Sequence, residues 1–359
     1  MFCKHFGVCG GCTLPGVPYT EQLASKRTKL SRLLGSDVAS VIPSPKEAGF
    51  RNKVAFVFGH GVMGHYALGS RKVVPIQECP VHHDRGNRIA FVVRDQLARV
   101  APGILRHIIV RTTDDGREAS ALLVVRRNDK SLRAPARKVL SSKEKPDGFF
   151  VNIHDQPGPF MVGEETLKIE GRSHVKEVVG GVKYLVSPTA FFQTNVGAAG
   201  ELVRVVLEEV GAAKRVLDLY CGSGLFSLPI AQAGALVTAI EENRQAIADA
   251  EANVGLNRLQ SARIRFVASR VEEALVRAAR EPWDAVVLDP PRQGCPPAVL
   301  AAIFEGVRPA RAVYVSCNPD ALAKELPGIL KTGYRVTRVQ PVDMFPHTEH
   351  IETVISFAR

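Results

Sequence analysis

Apolar and polar positions alternate along this chain in two different rhythms. Residues 1–20 hold Cys, Gly and Pro without periodicity and predict a loop that needs an external staple. Residues 21–34 (EQLASKRTKLSRLL) predict an amphipathic helix with a basic face. From Phe50 to about Leu185, short β-rich runs recur at 54–58, 108–112, 121–126, 149–153 and 182–186. Turn residues separate them, including Asp114-Asp115-Gly116 and Pro157-Gly158-Pro159, and one helix is expected over about 84–100. The pattern predicts a mixed α+β, largely antiparallel module. From about residue 187 the rhythm becomes strand–helix–strand. A helix over 196–210 leads to strands at 215–219, 235–240, 263–267, 284–288 and 312–316, and β-runs at 335–342 and 351–357 close the chain. That alternation predicts a doubly wound α/β sheet with ligands at the carboxyl ends of its strands. There is no internal repeat and no low-complexity tract.

Composition narrows the class. The 359 residues suit about two domains, and 45% apolar with 23% charged residues is ordinary globular usage. Disorder, collagen and a short disulfide scaffold are excluded. No run of about 18 apolar residues exists and the N-terminus does not read as a secretory leader, so a cytoplasmic, non-membrane protein is expected. The charge of +11 is unevenly placed. Positions 1–150 hold 25 basic and 12 acidic residues, whereas the remainder holds 22 and 24. A basic module joined to a near-neutral one suits polyanion binding beside catalysis. Seven cysteines, an odd number, argue against a disulfide framework.

Three segments carry candidate chemistry. Strand 216–219 (VLDL) runs into Tyr220-Cys221-Gly222-Ser223-Gly224, a loop that brings backbone close to a ligand at a helix N-terminus. Its spacing is not G-x-G-x-x-G, so a dinucleotide is poorly served. The next strand ends at Glu241, placed to accept hydrogen bonds from ribose hydroxyls. This combination resembles class I S-adenosylmethionine-dependent methyltransferases. Asp289-Pro290-Pro291-Arg292 follows strand 284–288 and resembles the substrate loop of methyltransferases acting on nucleobases. Ser316-Cys317-Asn318-Pro319 ends strand 312–316. Asn318 can cap the next helix, which leaves Cys317 where the helix dipole favours thiolate. A pyrimidine C5 is too weak a nucleophile to take a methyl group directly. A thiolate adding to C6 makes C5 carbanion-like, and after methylation a base removes the C5 proton while the thiolate leaves. The tail at 345–352 (FPHTEHIE) offers His350 and Glu352 as bases.

Together, SPTAFFQTN (187–195), DLYCGSG, VLDPPRQG, VSCNP and DMFPHTEHIE are similar to the RNA uracil-5 methyltransferase family, in order and over essentially the whole chain. The resemblance implies a Rossmann-like class I methyltransferase sheet preceded by an RNA-binding module. It implies Cys317 as nucleophile, Glu352 as the base, and S-adenosylmethionine contacts from Gln193, Tyr220, Glu241 and Asp289. Phe191 and Phe345 are candidates to stack on an extruded uridine.

Cys3, Cys9, Cys12 and Cys79 offer four thiolates that would satisfy zinc or a [4Fe–4S] cluster, and their spacing alone does not choose between them. The family resemblance implies [4Fe–4S], because many members carry that cluster on a C-x5-C-x2-C…C pattern. It also implies a compact branch without an N-terminal OB-like domain, similar to the bacterial enzyme for the 23S rRNA U747 site. The expectation is thus a monomeric enzyme, with no protein partner, in two parts. Residues 1–185 carry the cluster loop and the basic β-rich RNA-binding module, and residues 186–359 the methyltransferase. It would make 5-methyluridine in 23S rRNA through a Cys317–C6 adduct. The alternatives are another rRNA site or tRNA, a nucleobase-amine N-methyltransferase, and a non-catalytic RNA-binding protein.

Overall fold

A computed structural model describes residues 3–14, 16–98, 103–156 and 161–359. The turn expected at Pro157-Gly158-Pro159 lies outside the described residues.

The first sheet contains β1 (Lys53–Gly59), β2 (Val62–Tyr66), β3 (Val73–Pro75), β4 (Leu105–Thr112), β5 (Ala119–Val125), β6 (Gly148–Ile153) and β7 (Glu165–Gly171). Its order is β3-β2-β1-β4-β5-β6-β7, antiparallel except for β5–β6. One face packs on helices α2 (Asp84–Leu97) and α3 (Arg133–Leu140) through Phe56, Ile89, Val93, Ile108 and Val139. The other carries a smaller cluster of Ile109, Leu122, Val124 and Phe150. With both faces covered, β5 is buried throughout, which explains its continuous apolar run. The Asp114-Asp115-Gly116 turn joins β4 to β5, with the Thr113 N–H donating to the Glu118 carbonyl at 2.9 Å.

A two-stranded hairpin, β8 (Val175–Val179) and β9 (Val182–Val186), leads into the second sheet. That sheet comprises β10 (Arg215–Leu219), β11 (Leu236–Glu241), β12 (Ile264–Ala268), β13 (Ala285–Leu288), β14 (Arg311–Ser316), β15 (Arg335–Val342) and β16 (Glu352–Ala358). The order is β12-β11-β10-β13-β14-β16-β15. The five strands β10 to β14 run parallel, and β16 enters antiparallel between β14 and β15. Helices α4 (Val196–Val210), α5 (Ser227–Gln232) and α6 (Arg244–Leu256) cover one face. Helices α7 (Val271–Ala278), α8 (Pro297–Ala301), which runs into a π-helical turn at Ala302–Val307, and α9 (Pro319–Lys331) cover the other. A doubly wound sheet results.

The amphipathic helix near the N-terminus, α1 (Tyr19–Leu34), packs on this second sheet. Leu30, Leu34 and Val38 share a core with Leu322 and Leu326 of α9. Residues 39–43 then run beside β15, with the Ala39 N–H donating to the Val339 carbonyl and the Asp343 N–H to the Ile42 carbonyl. The helix is therefore a strap across the second sheet, although a β-rich module lies between them in sequence.

Candidate active site

Three strand ends converge. The loop after β10 folds back so that the Cys221 N–H donates to the Ile240 carbonyl at 3.0 Å, and the Gly222 N–H donates to Glu241 Oε2 at 3.1 Å. Tyr220 and Gly222 adopt positive φ. Gly224 also does, at φ 89, a conformation that residues with a side chain rarely adopt, and a Cβ there would press on Leu228 Cδ1 of α5. The second oxygen of Glu241 accepts from the Asn243 N–H at 2.8 Å. Glu241 thus stands at the end of β11 with its carboxylate oriented by backbone, ready to accept further hydrogen bonds. Gln193 lies in the loop before α4, half-buried, two residues ahead of the α4 cap Asn195. Asp218, which the sequence reading passed over, is fully buried and hydrogen-bonded by the Ser227 hydroxyl. Burial pushes its carboxyl up to about 7.

Asp289 follows β13, and burial, reinforced by Asp218, pushes it up to about 7 as well. The prolines hold a turn in which the Gly294 N–H donates to the Pro291 carbonyl at 2.8 Å. Asn318 ties this loop to the next. Its Nδ2 donates to the Arg292 carbonyl at 2.8 Å, while its Oδ1 accepts from the Asp320 N–H and caps α9. Pro319 occupies the first turn of α9, so Cys317 sits immediately before the cap, as the sequence led one to expect.

The antiparallel entry of β16 explains the meeting of Cys317 with Glu352. The β14–β16 register pairs Ser316 with Thr353, so their chain neighbours Cys317 and Glu352 lie at the same end of the strand pair, near enough for the Glu352 charge to act on the thiol. Glu352 is only 6% exposed. Burial, then Asp289, holds its carboxyl well above the usual range, and Arg292 opposes them. Burial raises the Cys317 thiol to about 11, with Glu352 and Asp289 adding and Arg292 subtracting. Burial and the two carboxylates thus push the thiol in the direction opposite to the one expected from the helix dipole alone. A cleft of about 320 Å³ opens over Cys317, Asn318, Arg292 and His350. His350 is exposed there, and Glu349 is turned to Lys29 at 2.9 Å. Phe345 and His350 meet edge to face at 6.0 Å, whereas Phe191 is 77% exposed.

The segment before β16 is clamped by residues that sequence reasoning missed. Lys26 of α1 donates to Asp343 Oδ1 at 2.7 Å and to the Phe345 carbonyl at 3.1 Å, both ends of the ion pair being buried. His347 has φ 65 and is buried. Its N–H donates to Gln22 Oε1 at 2.8 Å, and its carbonyl accepts from the N–H groups of Thr13 and Leu14 at 3.0 Å. The loop carrying the candidate base is thus fastened to α1 and to the residues just after Cys12. These partners lie more than 300 residues apart in sequence, which no local pattern reveals.

Cys3, Cys9, Cys12 and Cys79 line one groove of about 1080 Å³, and none of the four is in a disulfide. Burial raises Cys12 to about 11 and Cys79 to about 12, and the sulfurs raise one another. A donor set whose thiolates repel one another suits an added cationic centre. Among the described residues, three donors converge within 4.8 Å at His65, Cys79 and His82, and the four thiols do not gather that tightly. The two histidines were not signalled by the cysteine spacing.

Fold, glycine loop and strand-end carboxylates define a class I methyltransferase. Residues 162–359 match the family model described as tRNA (Uracil-5-)-methyltransferase. An uncharacterised RNA methyltransferase of Geobacter sulfurreducens is 33% identical over 98% of this chain and 76% of its own length. One from Thermosynechococcus vestitus is 34% identical over 96% of this chain and 81% of its own. The crystal structure of the Pyrococcus abyssi tRNA (uracil-54, C5)-methyltransferase in complex with S-adenosyl-L-homocysteine superposes with a TM-score of 0.83. It is 31% identical and covers 98% of this chain and 85% of that one. The chain belongs to this family of S-adenosylmethionine-dependent enzymes that methylate C5 of uracil in RNA. Among the described residues no helix is long and apolar enough to cross a membrane.

Proposed function

We propose that this enzyme methylates C5 of a uridine in 23S rRNA, at a U747-type site, through a covalent adduct to Cys317. The observation that carries the chemistry is the Cys317–Glu352 juxtaposition across β14 and β16, with Asp289 and Arg292 beside it. Cys317 gives up its proton and its sulfur bonds to C6. The electron pair displaced onto the ring makes C5 nucleophilic, and C5 takes the methyl group of S-adenosylmethionine. Glu352, as carboxylate, removes the C5 proton, and the Cys317–C6 bond breaks. Its raised proton affinity suits that step. Gln193, Tyr220, Glu241 and Asp289 would hold the methyl donor at the strand ends. The uridine must leave its stack for Cys317 to reach C6.

In this reading residues 1–185 bind RNA and residues 186–359 perform the chemistry in the cytoplasm, without a protein partner. Cys3, Cys9, Cys12 and Cys79 would hold a [4Fe–4S] cluster that braces the N-terminal loop; methyl transfer moves no electrons overall. The likeness to the Pyrococcus enzyme favours a second reading, with tRNA as target. Incubating the purified enzyme with unmodified 23S rRNA and tRNA, then mapping 5-methyluridine by mass spectrometry, separates the two. Product confined to tRNA would overturn the rRNA assignment.

A further inference from the structure

Beyond the reacting uridine, the groove over the cysteines runs out to the tip of the β2–β3 hairpin. Three large apolar side chains are exposed together there: Val8 at 56%, Tyr66 at 44% and Leu68 at 63%. Their backbone is fixed. Cys9 bridges Ala67, the Gly10 N–H donates to the Tyr66 carbonyl at 2.9 Å, and the Leu68 N–H to the Val8 carbonyl at 3.1 Å. The Ala67 N–H donates to the Lys72 carbonyl at 2.8 Å and closes the turn. Gly10 suits this approach, since a Cβ there would lie 3.2 Å from the Tyr66 carbonyl oxygen, a tight contact. The tip is therefore bolted to the cysteine loop and its apolar side chains remain outside.

The same groove is strongly cationic. Among its described lining residues are Arg51, Arg71, Arg106, Arg126 and Arg292, and the two carboxylates are already paired, Glu78 with Lys4 and Asp155 with Arg126. The groove reaches Phe345 and also Arg292 and His350, the last two of which border the Cys317 cleft. A rigid aromatic–aliphatic surface beside arginines that outnumber the carboxylates has the chemistry that takes unpaired nucleotides: bases stack and phosphates pair.

We propose that the β2–β3 tip is a second RNA platform, on which an unpaired base of the substrate strand stacks against Tyr66 and Leu68 while Arg71 holds its phosphate. This deepens the reading of the protein as an RNA uracil-5 methyltransferase and rests on it. The occupant is the same RNA strand that delivers the uridine to Cys317, so the platform selects targets with an unpaired segment at a set distance from the methylated base.

The test uses the full-length loaded enzyme and a methylatable RNA whose target loop is single-stranded. Binding is measured by fluorescence anisotropy and turnover by transfer of labelled methyl groups. Tyr66→Ala should weaken RNA binding by about 5- to 150-fold, the range for loss of one base–aromatic stack, whereas Tyr66→Phe should stay within about twofold of wild type. Arg71→Ala should flatten the slope of log K against log salt by about 0.7, as for one phosphate contact on a single strand. Turnover at saturating RNA and calorimetric affinity for S-adenosylmethionine should not change in these variants. Binding by Tyr66→Ala equal to wild type, with an unchanged salt slope in Arg71→Ala, would overturn the platform and leave the uracil reading intact. A dimer in sedimentation that Tyr66→Ala/Leu68→Ala dissolves, with RNA affinity unaltered, would overturn it in favour of a second copy. Because binding is read without turnover, absence of methylation in every preparation counts against the uracil reading separately.

Discussion

The resting protonation of Cys317 has a direct consequence for its reactivity. With the thiol pushed up to about 11, only about one molecule in three thousand carries thiolate at pH 7.5, against about one in thirty for a thiol at the ordinary 9.0. Since alkylating agents react with thiolate, alkylation of Cys317 in the RNA-free enzyme should rise about tenfold per pH unit, or about 300-fold from pH 7 to 9.5, without a plateau. Iodoacetamide labelling, quantified on the Cys317 peptide by mass spectrometry, gives this profile without interference from the other six cysteines. The sign of the neighbours is also fixed. Arg292 lowers the thiol, so Arg292→Gln should slow labelling at every pH in that window, with the same tenfold slope. Glu352 works in the same direction in catalysis: its raised carboxyl holds a proton that must be lost before it can act as base, so single-turnover methylation should also climb with pH. A labelling profile that levels off by pH 8 would refute the argument, because it would mean that the helix dipole outweighs burial and the two carboxylates.

Gly224→Ala places a methyl group against Leu228 at a positive φ and should cost about 1–3 kcal/mol in denaturant titration, with weaker S-adenosylmethionine binding in calorimetry. Lys26→Met leaves Asp343 buried without its partner and should destabilise by about 3–5 kcal/mol, whereas Lys26→Met/Asp343→Leu should recover much of that loss. Anaerobically purified protein should be brown with about four irons per chain, and a Cys12→Ser variant should hold less; one zinc and no iron would contradict the cluster assignment.

The catalytic sheet was legible in the sequence because its central strands β10, β13 and β14 are largely apolar runs and helices separate its parallel strands. The strand-end residues followed, since a doubly wound sheet places its ligands there. Sequence reading found less of the first sheet. β7 (ETLKIEG) is largely exposed and shows no apolar face, and α3 (RAPARKVL) is too short to display a period. β2 carries Gly64, where a Cβ would collide with the Val74 carbonyl, so close backbone packing replaces side-chain pattern. At the active site the residue types were readable, but their pKa order was not: the dipole at Cys317 is a local feature, whereas the carboxylates that oppose it come from β16 and from the loop after β13. The clamp of Gln22 and Lys26 on the loop at 343–347 belongs to the same class, because it joins the two ends of the chain.

The covalent mechanism divides the labour of Cys317 and Glu352 in time, and one gel separates them. Wild type, Cys317→Ala and Glu352→Gln are each incubated with substrate RNA and S-adenosylmethionine labelled in the methyl group, then denatured and resolved. Glu352→Gln can form the adduct and accept the methyl group on C5, yet it cannot take the C5 proton, and loss of a positioned base typically slows such a step by about 10²–10⁴. A denaturation-stable protein–RNA band carrying the methyl label is therefore predicted for Glu352→Gln, absent from Cys317→Ala, which should neither link nor methylate. Methylation by Cys317→Ala, or release of product by Glu352→Gln at the wild-type rate with no trapped band, would contradict the account.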